Sequence, residues 1–259
     1  MSFPARLERF GSVDSTQRIV REWLDAGVPE VAIAVADEQR AGRGRQGRGW
    51  MAPPGAALLL SCGFRPQGLP LSRAWRLAAT VCLAMVDAAE ETAGLAEGSV
   101  GLKWPNDLVH QLPGEGLRKV AGVLGESVAE GDRLASAVVG IGINADWPAE
   151  TFPNGLAGSM TSLREMAGRA VDREALLTEF LVRLEQRYGA LLQDRFDSAG
   201  WAKRQRTTGA QLEVAVGERT LRGRGDGLDA ETGALLLESS EGLVRVGSGE
   251  VTSCRVLLP

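Results

Sequence analysis

The stretch Gly42-Arg43-Gly44-Arg45-Gln46-Gly47-Arg48-Gly49-Trp50 interleaves three arginines with four glycines. Glycines let backbone amides turn toward an anion and form a concave nest. Guanidinium forks match the oxygens of phosphates and carboxylates. The plain alternative is a solvated basic turn, which fits so regular an interleaving poorly. The same residues contain GxGxxG, so a dinucleotide fingerprint must be weighed. That fingerprint needs a helix starting at the glycines and an acidic residue about 20 positions later. Here the glycines run into Trp50-Met51-Ala52-Pro53-Pro54-Gly55, and no acidic residue lies between Glu38 and Asp87. The Rossmann reading is therefore set aside. The acid-free interval also holds Arg40, Arg65, Arg73 and Arg76, although the whole chain carries a net charge of −4. Local positive charge in an acidic protein points to a confined anionic ligand rather than to nucleic acid.

Three further motifs carry polar groups where ligands bind. In Lys103-Trp104-Pro105-Asn106-Asp107, proline ends a strand and leaves Asn106 and Asp107 at its carboxyl end. Small ligands favour that place, though a simple turn uses the same residues. In Lys119-Val120-Ala121-Gly122-Val123-Leu124-Gly125-Glu126, Gly122 lies inside an apolar strand, which marks close approach of a ligand or another backbone. Gly140-Ile141-Gly142-Ile143-Asn144 ends an apolar strand on Asn144, either a turn former or a polar contact.

Several chemistries are excluded. His110 is the only histidine, so a multi-histidine metal site is impossible, and no GxSxG elbow is present. Cys62, Cys82 and Cys254 are far apart without a CxxC pair, so neither a disulfide framework nor a zinc site is expected. There is no Walker A, EF-hand or HExxH motif. No apolar run reaches the roughly 18 residues of a membrane span, and residues 1–10 lack a secretion signal. A cytoplasmic protein is expected.

These motifs need a scaffold. Asp14, Ser15 and Thr16 predict a helix cap, followed by one apolar face at Ile19, Val20, Trp23 and Leu24 and closed by Gly27. Val31–Ala36 and Ala57–Phe64 predict buried strands, and 41–50 a loop. Leu71–Thr92 predicts a long helix with Ser72 as cap. Val100–Trp104, Leu108–Gln111, Lys119–Val128 and Leu134–Asn144 predict strands, 145–170 an irregular segment, and 172–192 a second long helix. From residue 211 five short strands separated by tight turns predict a small β barrel or sandwich. The expected organisation is α+β: a domain over 1–205 and a small β domain over 206–259.

In order and spacing, Asp14-Ser15-Thr16, GRGRQGRGW, KWPND, KVAGVLGE and GIGIN resemble biotin–protein ligases from Ser12 to Asn144, continuing into Gly233–Glu238. The resemblance implies a mixed β-sheet flanked by helices, like that of class II aminoacyl-tRNA synthetases, with a C-terminal SH3-like β-barrel. It implies ATP and biotin as substrates, Mg²⁺ with the ATP, and a biotin carboxyl carrier protein, such as an acetyl-CoA carboxylase subunit, as partner. Neither DNA nor membrane is expected, and no winged helix fits before residue 14. A monomer and a homodimer both stay open.

By the same resemblance, biotin carboxylate attacks the α-phosphorus of ATP, and a carrier lysine then attacks the resulting adenylate. Arg43, Arg45, Arg48 and Lys119 are the candidate catalytic cations. Ser15, Thr16, Gln17, Gln39, Arg43, Gly44, Arg45, Trp50, Lys119 and Gly122 are candidate biotin contacts, with Trp50 walling the tail. Lys103, Trp104, Asn106, Asp107 and Asn144 join Arg45, Arg48 and Lys119 as candidate ATP contacts. No dedicated protein metal ligands are expected. Some relatives cover the adenine with a tryptophan; residues 158–163 hold no aromatic, and Met160 is the candidate cover. The arginine loop is expected to be poorly ordered until ligand closes it. The small β domain is expected to help close the ATP or carrier site. The nearest rival, a lipoate ligase or octanoyltransferase, usually shows an RRxxGGG-type stretch with a nearby histidine, and this chain has neither.

Overall fold

The computed structural model describes residues 3–257. Strands β1 (Arg6–Val13), β2 (Ala32–Gln39), β3 (Ala57–Phe64), β4 (Val100–Lys103), β5 (Asp107–Leu112), β6 (Gly116–Glu130) and β7 (Arg133–Asn144) form one sheet in the order β1-β2-β3-β7-β6-β5-β4. β1 and β2 are parallel and every other neighbouring pair is antiparallel, so the sheet is mixed as expected.

Side chains alternate between the two faces of a strand. On one face Ile33, Val35, Leu58, Leu60, Val139, Ile141 and Ile143 join the main core. Helices α2 (Trp75–Ala93) and α4 (Arg173–Leu192) cover that face through residues such as Leu77, Val81, Met85, Leu177, Phe180 and Leu184. α1 (Thr16–Asp25) packs on the opposite face, where Val20 and Leu24 meet Ala34 and Val138. Gly63 in β3 makes this possible, because a Cβ there would stand 2.6 Å from Val20 Cγ1. The part of this face that α1 leaves open is the floor of the main cleft.

Three local expectations are corrected. Ser15 precedes α1 but makes no side-chain cap bond, and the hydroxyl of Thr16 is engaged elsewhere. Ser72 caps nothing: Leu71–Arg73 is a 3₁₀ turn held by Leu71 N–H on Asp132 O, and α2 begins at Trp75. The strand β1 and two short helices, α3 (Leu163–Ala167) and α5 (Ser198–Lys203), were not expected.

The C-terminal strands β8 (Gln211–Val216), β9 (Arg219–Leu228), β10 (Leu235–Ser239), β11 (Gly242–Val246) and β12 (Val251–Val256) lie close to where the sequence put them. They form an antiparallel sheet in the order β11-β10-β9-β8-β12. This corrects the barrel. Closure would require β11 to pair with β12, and among the described residues β11, mostly exposed, pairs only with β10.

The two sheets are tied together. Trp104 sits in the small sheet's core with Leu212, Leu235, Leu237 and Val251, its Nε1 donating to Gly233 O at 3.0 Å. Trp75 Nε1 donates to Glu231 O, and its ring lies where a side chain on Gly233 would fall. The connecting segment also pairs with the β4 edge, through Leu102 N–H on Arg204 O and Arg206 N–H on Leu102 O. The buried carboxylate of Glu90 accepts from Gly98 N, Val100 N and Arg204, which fixes that segment.

Candidate functional site

A cleft of about 540 Å³ opens on the α1 face between the large sheet, the arginine loop and β12. Gly140, Gly142 and Asn144 step along its floor on β7. Each two-residue step advances about 7 Å. Register places Ser61 and Leu124 beside Gly140, Gly122 beside Gly142, and Ala57 beside Asn144.

The first step is polar and uncharged. Thr16 N–H and Thr16 Oγ1 both reach Gln39 Oε1, at 2.8 and 3.0 Å, and Thr16 Oγ1 lies 2.8 Å from Ser61 Oγ. Gln17 Nε2 donates to Leu124 O at 3.1 Å, with its side chain packed over Gly140.

The second step is apolar. Trp50 lies across Gly122 and Gly142; a Cβ on Gly142 would stand 2.5 Å from Trp50 Nε1 and one on Gly122 2.9 Å from Trp50 Cζ3. Trp50 Nε1 is buried without a partner among the described residues. The arginine loop closes on itself here: Trp50 N–H donates to Gly42 O at 2.9 Å, and Gly44 N–H to Arg48 O at 2.7 Å. Gln46 takes a left-handed conformation at φ 56°, which completes the turn.

Cations gather above this floor. Arg43, Arg45, Arg48, Lys103, Lys119 and Arg255 line the cleft, and Asp107 is its one carboxylate among the described residues. Lys119 Nζ pairs with Asp107 Oδ1 at 2.6 Å and lies 5.3 Å from the Trp50 ring centre, a cation–π distance. Arg45 donates to the main-chain oxygens of Ser248 and Val251, Gln46 to Val251 O, and Arg48 to Thr252 O. These bonds place the loop against residues 248–252, and the small sheet forms one wall of the cleft. Burial lowers the pKa of the Arg45 guanidinium, Asp107 opposes that effect and Arg48 adds to it. No group of three metal-ligating side chains occurs among the described residues.

The third step carries Asn144, Trp147, Leu156 and Met160. Asn144 Nδ2 donates to Thr161 O, and the segment is stitched to β6 by Lys119 N–H on Ser159 O and Thr161 N–H on Lys119 O. Met160 is buried against Ala56, Trp147 and Phe152, so it is a packed wall rather than a mobile cover. Trp147 is the aromatic of this wall, and its buried Nε1 has no partner among the described residues.

Among the sequence candidates, Thr16, Gln17, Gln39, Arg43, Gly44, Arg45, Arg48, Trp50, Lys103, Trp104, Asn106, Asp107, Lys119, Gly122 and Asn144 line this one cleft. Ser15 does not, because it stands ahead of α1 with its side chain buried. Asn106 spends Nδ2 on Val123 O, and Trp104 shows the cleft only part of a ring buried in the small sheet. Sequence reasoning missed Ser61, Trp147 and residues 251–255. Ser61 had one signal, a lone hydroxyl in the run Ala57-Leu58-Leu59-Leu60-Ser61-Cys62-Gly63-Phe64. His110 is not in the cleft; its Nδ1 lies 2.9 Å from Ser99 O.

A polar seat, an apolar slot and a cation cluster lie in one cleft without a histidine, an arrangement suited to positioning and charge neutralisation rather than to histidine acid–base chemistry. The model of the biotin/lipoate A/B protein ligase family matches residues 10–144, and the chain belongs to that family. Relatives include the bifunctional ligase/repressor BirA of Bacillus subtilis (strain 168), 33% identical over 241 residues, which span 92% of this chain and 71% of that protein. The biotin–[acetyl-CoA-carboxylase] ligase of Mycobacterium tuberculosis is 32% identical over 229 residues, spanning 86% and 79%. Among solved structures, the biotin protein ligase from Aquifex aeolicus in complex with biotin and ATP matches with a TM-score of 0.78 and 29% identity, covering 97% of this chain and 99% of that one.

Proposed function

We propose that this chain is a biotin–protein ligase that activates biotin with ATP and transfers it to a carrier lysine. The observation that carries the reading is the in-line cleft along Gly140, Gly142 and Asn144. Biotin's ring is neutral and polar, its tail apolar and its carboxylate anionic, which is the order in which the cleft changes character. The ring sits by Thr16, Gln17 and Gln39, and the tail passes between Trp50 and the glycine floor. The carboxylate meets the nucleotide under Arg45, Arg43, Arg48 and Lys119. The base end of ATP lies toward Asn144 and Trp147, with Lys103, Asn106 and Asp107 beside the phosphates.

Two anions must meet in the first step. Fixed cations cancel their repulsion and take up the charge that develops on phosphate oxygens. Arg45 and Lys119 do this once they leave their resting partners, the β12 carbonyls and Asp107. The bond formed joins the biotin carboxylate oxygen to the α-phosphorus, and pyrophosphate leaves. The carrier lysine then attacks the acyl carbon and AMP departs. Mg²⁺ enters as part of the nucleotide; one carboxylate, Asp107, suits an ion held mainly by phosphate oxygens and water. The acceptor is a biotin carboxyl carrier protein of a carboxylase such as acetyl-CoA carboxylase, and the setting is cytoplasmic.

The test is a mass spectrum of a carrier domain incubated with the protein, ATP and either biotin or lipoate. A biotin-sized gain, with pyrophosphate release that depends on biotin, is expected. A lipoyl gain alone would replace this reading with the other branch of the family. Biotin binding without pyrophosphate release would mark a sensor.

A further inference from the structure

The uncharged end of the cleft contains a hydrogen-bond chain whose direction follows from its geometry. Thr16 N–H donates to the Gln39 side chain at 2.8 Å. A backbone N–H must meet an oxygen, so the amide orientation is fixed with Oε1 toward α1. Thr16 Oγ1 lies 3.0 Å from the same Oε1, which has only lone pairs to offer, so the threonine proton points there. Thr16 Oγ1 then has only lone pairs left for Ser61 Oγ at 2.8 Å, and Ser61 is the donor. Ser61 is fully buried at the floor of the cleft, behind Thr16. The far end of the chain is Gln39 Nε2, packed 3.3 Å from where a Cβ on Gly42 would lie and without an acceptor among the described residues.

We propose that Ser61 is a positioning residue: through Thr16 it locks the Gln39 amide with its NH₂ toward the cleft, so that this end selects a neutral hydrogen-bond acceptor such as the carbonyl oxygen of a cyclic urea. The inference rests on the ligase reading above and adds to it the buried residue that holds the ring contact in place. Without the Ser61 hydroxyl, the buried Thr16 oxygen is left without its donor and the polarised chain is broken, so the bond from Thr16 to Gln39 weakens and the amide is held less firmly in register.

The test is calorimetric titration of biotin and of desthiobiotin, which keeps the urea and lacks the thioether ring. Wild type, Ser61→Ala, Thr16→Val and the double variant are compared, with steady-state pyrophosphate release alongside. In Ser61→Ala the Kd of both acids rises together by about 5- to 10-fold. The KM for biotin rises by the same factor, while kcat and the KM for ATP stay within about twofold. The double variant matches Thr16→Val alone, because the serine acts only through the threonine. Ser61→Cys, which keeps the side-chain shape but donates weakly, shows the same loss and stands in should the alanine variant fold poorly. Wild-type affinity in both serine variants, or losses that add in the double variant, would overturn the relay while leaving the ligase reading intact. Wild-type protein that binds neither acid would overturn that reading and the inference with it.

Discussion

Replacing Gly142 with alanine tests the slot directly. The new Cβ would stand 2.5 Å from Trp50 Cε2 and Nε1 and 2.9 Å from Cζ2. Comfortable carbon contacts begin near 3.5 Å, so something must retreat by about 1 Å. Gly142 has no left-handed φ, so alanine strains no backbone there. The strand is paired on both sides, with Leu59 and Gly122, whereas Trp50 ends a loop; the ring is what moves. Overpacking of this kind costs about 1–3 kcal/mol. Expressed through the biotin slot, that is about a 5- to 150-fold rise in the KM for biotin. Biotin-dependent pyrophosphate exchange reads that constant, and calorimetry reads a melting temperature that moves little. Gly125→Ala is the control, because its Cβ meets only Ala78 Cβ at 3.9 Å. A Gly142→Ala protein with a KM for biotin within about twofold of wild type would refute the reasoning.

Arg45→Ala should lower the adenylation rate by about 10²- to 10³-fold, as loss of a transition-state donor does. It should also speed proteolysis within residues 41–50, since it removes the bonds to Ser248 O and Val251 O; unchanged single-turnover adenylation would count against its role. Trp147→Phe keeps the aromatic packing on Phe152 and removes the unpartnered N–H. The KM for ATP should rise about 5- to 10-fold with the KM for biotin unmoved, and an equal effect on both would show mere loosening of the cleft. Burial pushes the Cys254 thiol up to about 11 and the Cys82 thiol up to about 12. Little thiolate then exists at pH 8, so both should resist iodoacetamide in the native protein and react once it is denatured. Rapid native labelling of Cys254 would show that β12 opens.

The candidate site was more legible in the sequence than some of the scaffold. The arginine loop, Lys119, Gly122 and Asn144 announce themselves because glycine and charge are costly inside apolar elements unless something requires them. Ser61 hid because a single hydroxyl in an apolar strand reads as tolerated. Trp147 hid because only the fold brings it against Met160. β1 was missed for a different reason. It is an edge strand whose residues are half-buried or exposed throughout, so its alternation is faint, and pairing with β2 makes it a strand. α5 is too short for periodicity; the cap made by Gly200 N–H donating to Asp197 and the burial of Trp201 specify it. Barrel and open sheet share the same run of strands and turns, and they part only at the last pairing.

The segment that runs along β4 has a consequence for how the molecule comes apart. Residues 204–206 are at once the rim of the large sheet and the lead into the small one. A chain cut after residue 205 would strip Leu102 of one partner, unseat Trp104 from Gly233 and bare a strand edge ready to stick to other chains. The two sheets should therefore melt in a single transition, and the smaller should not be removable without cost to the larger.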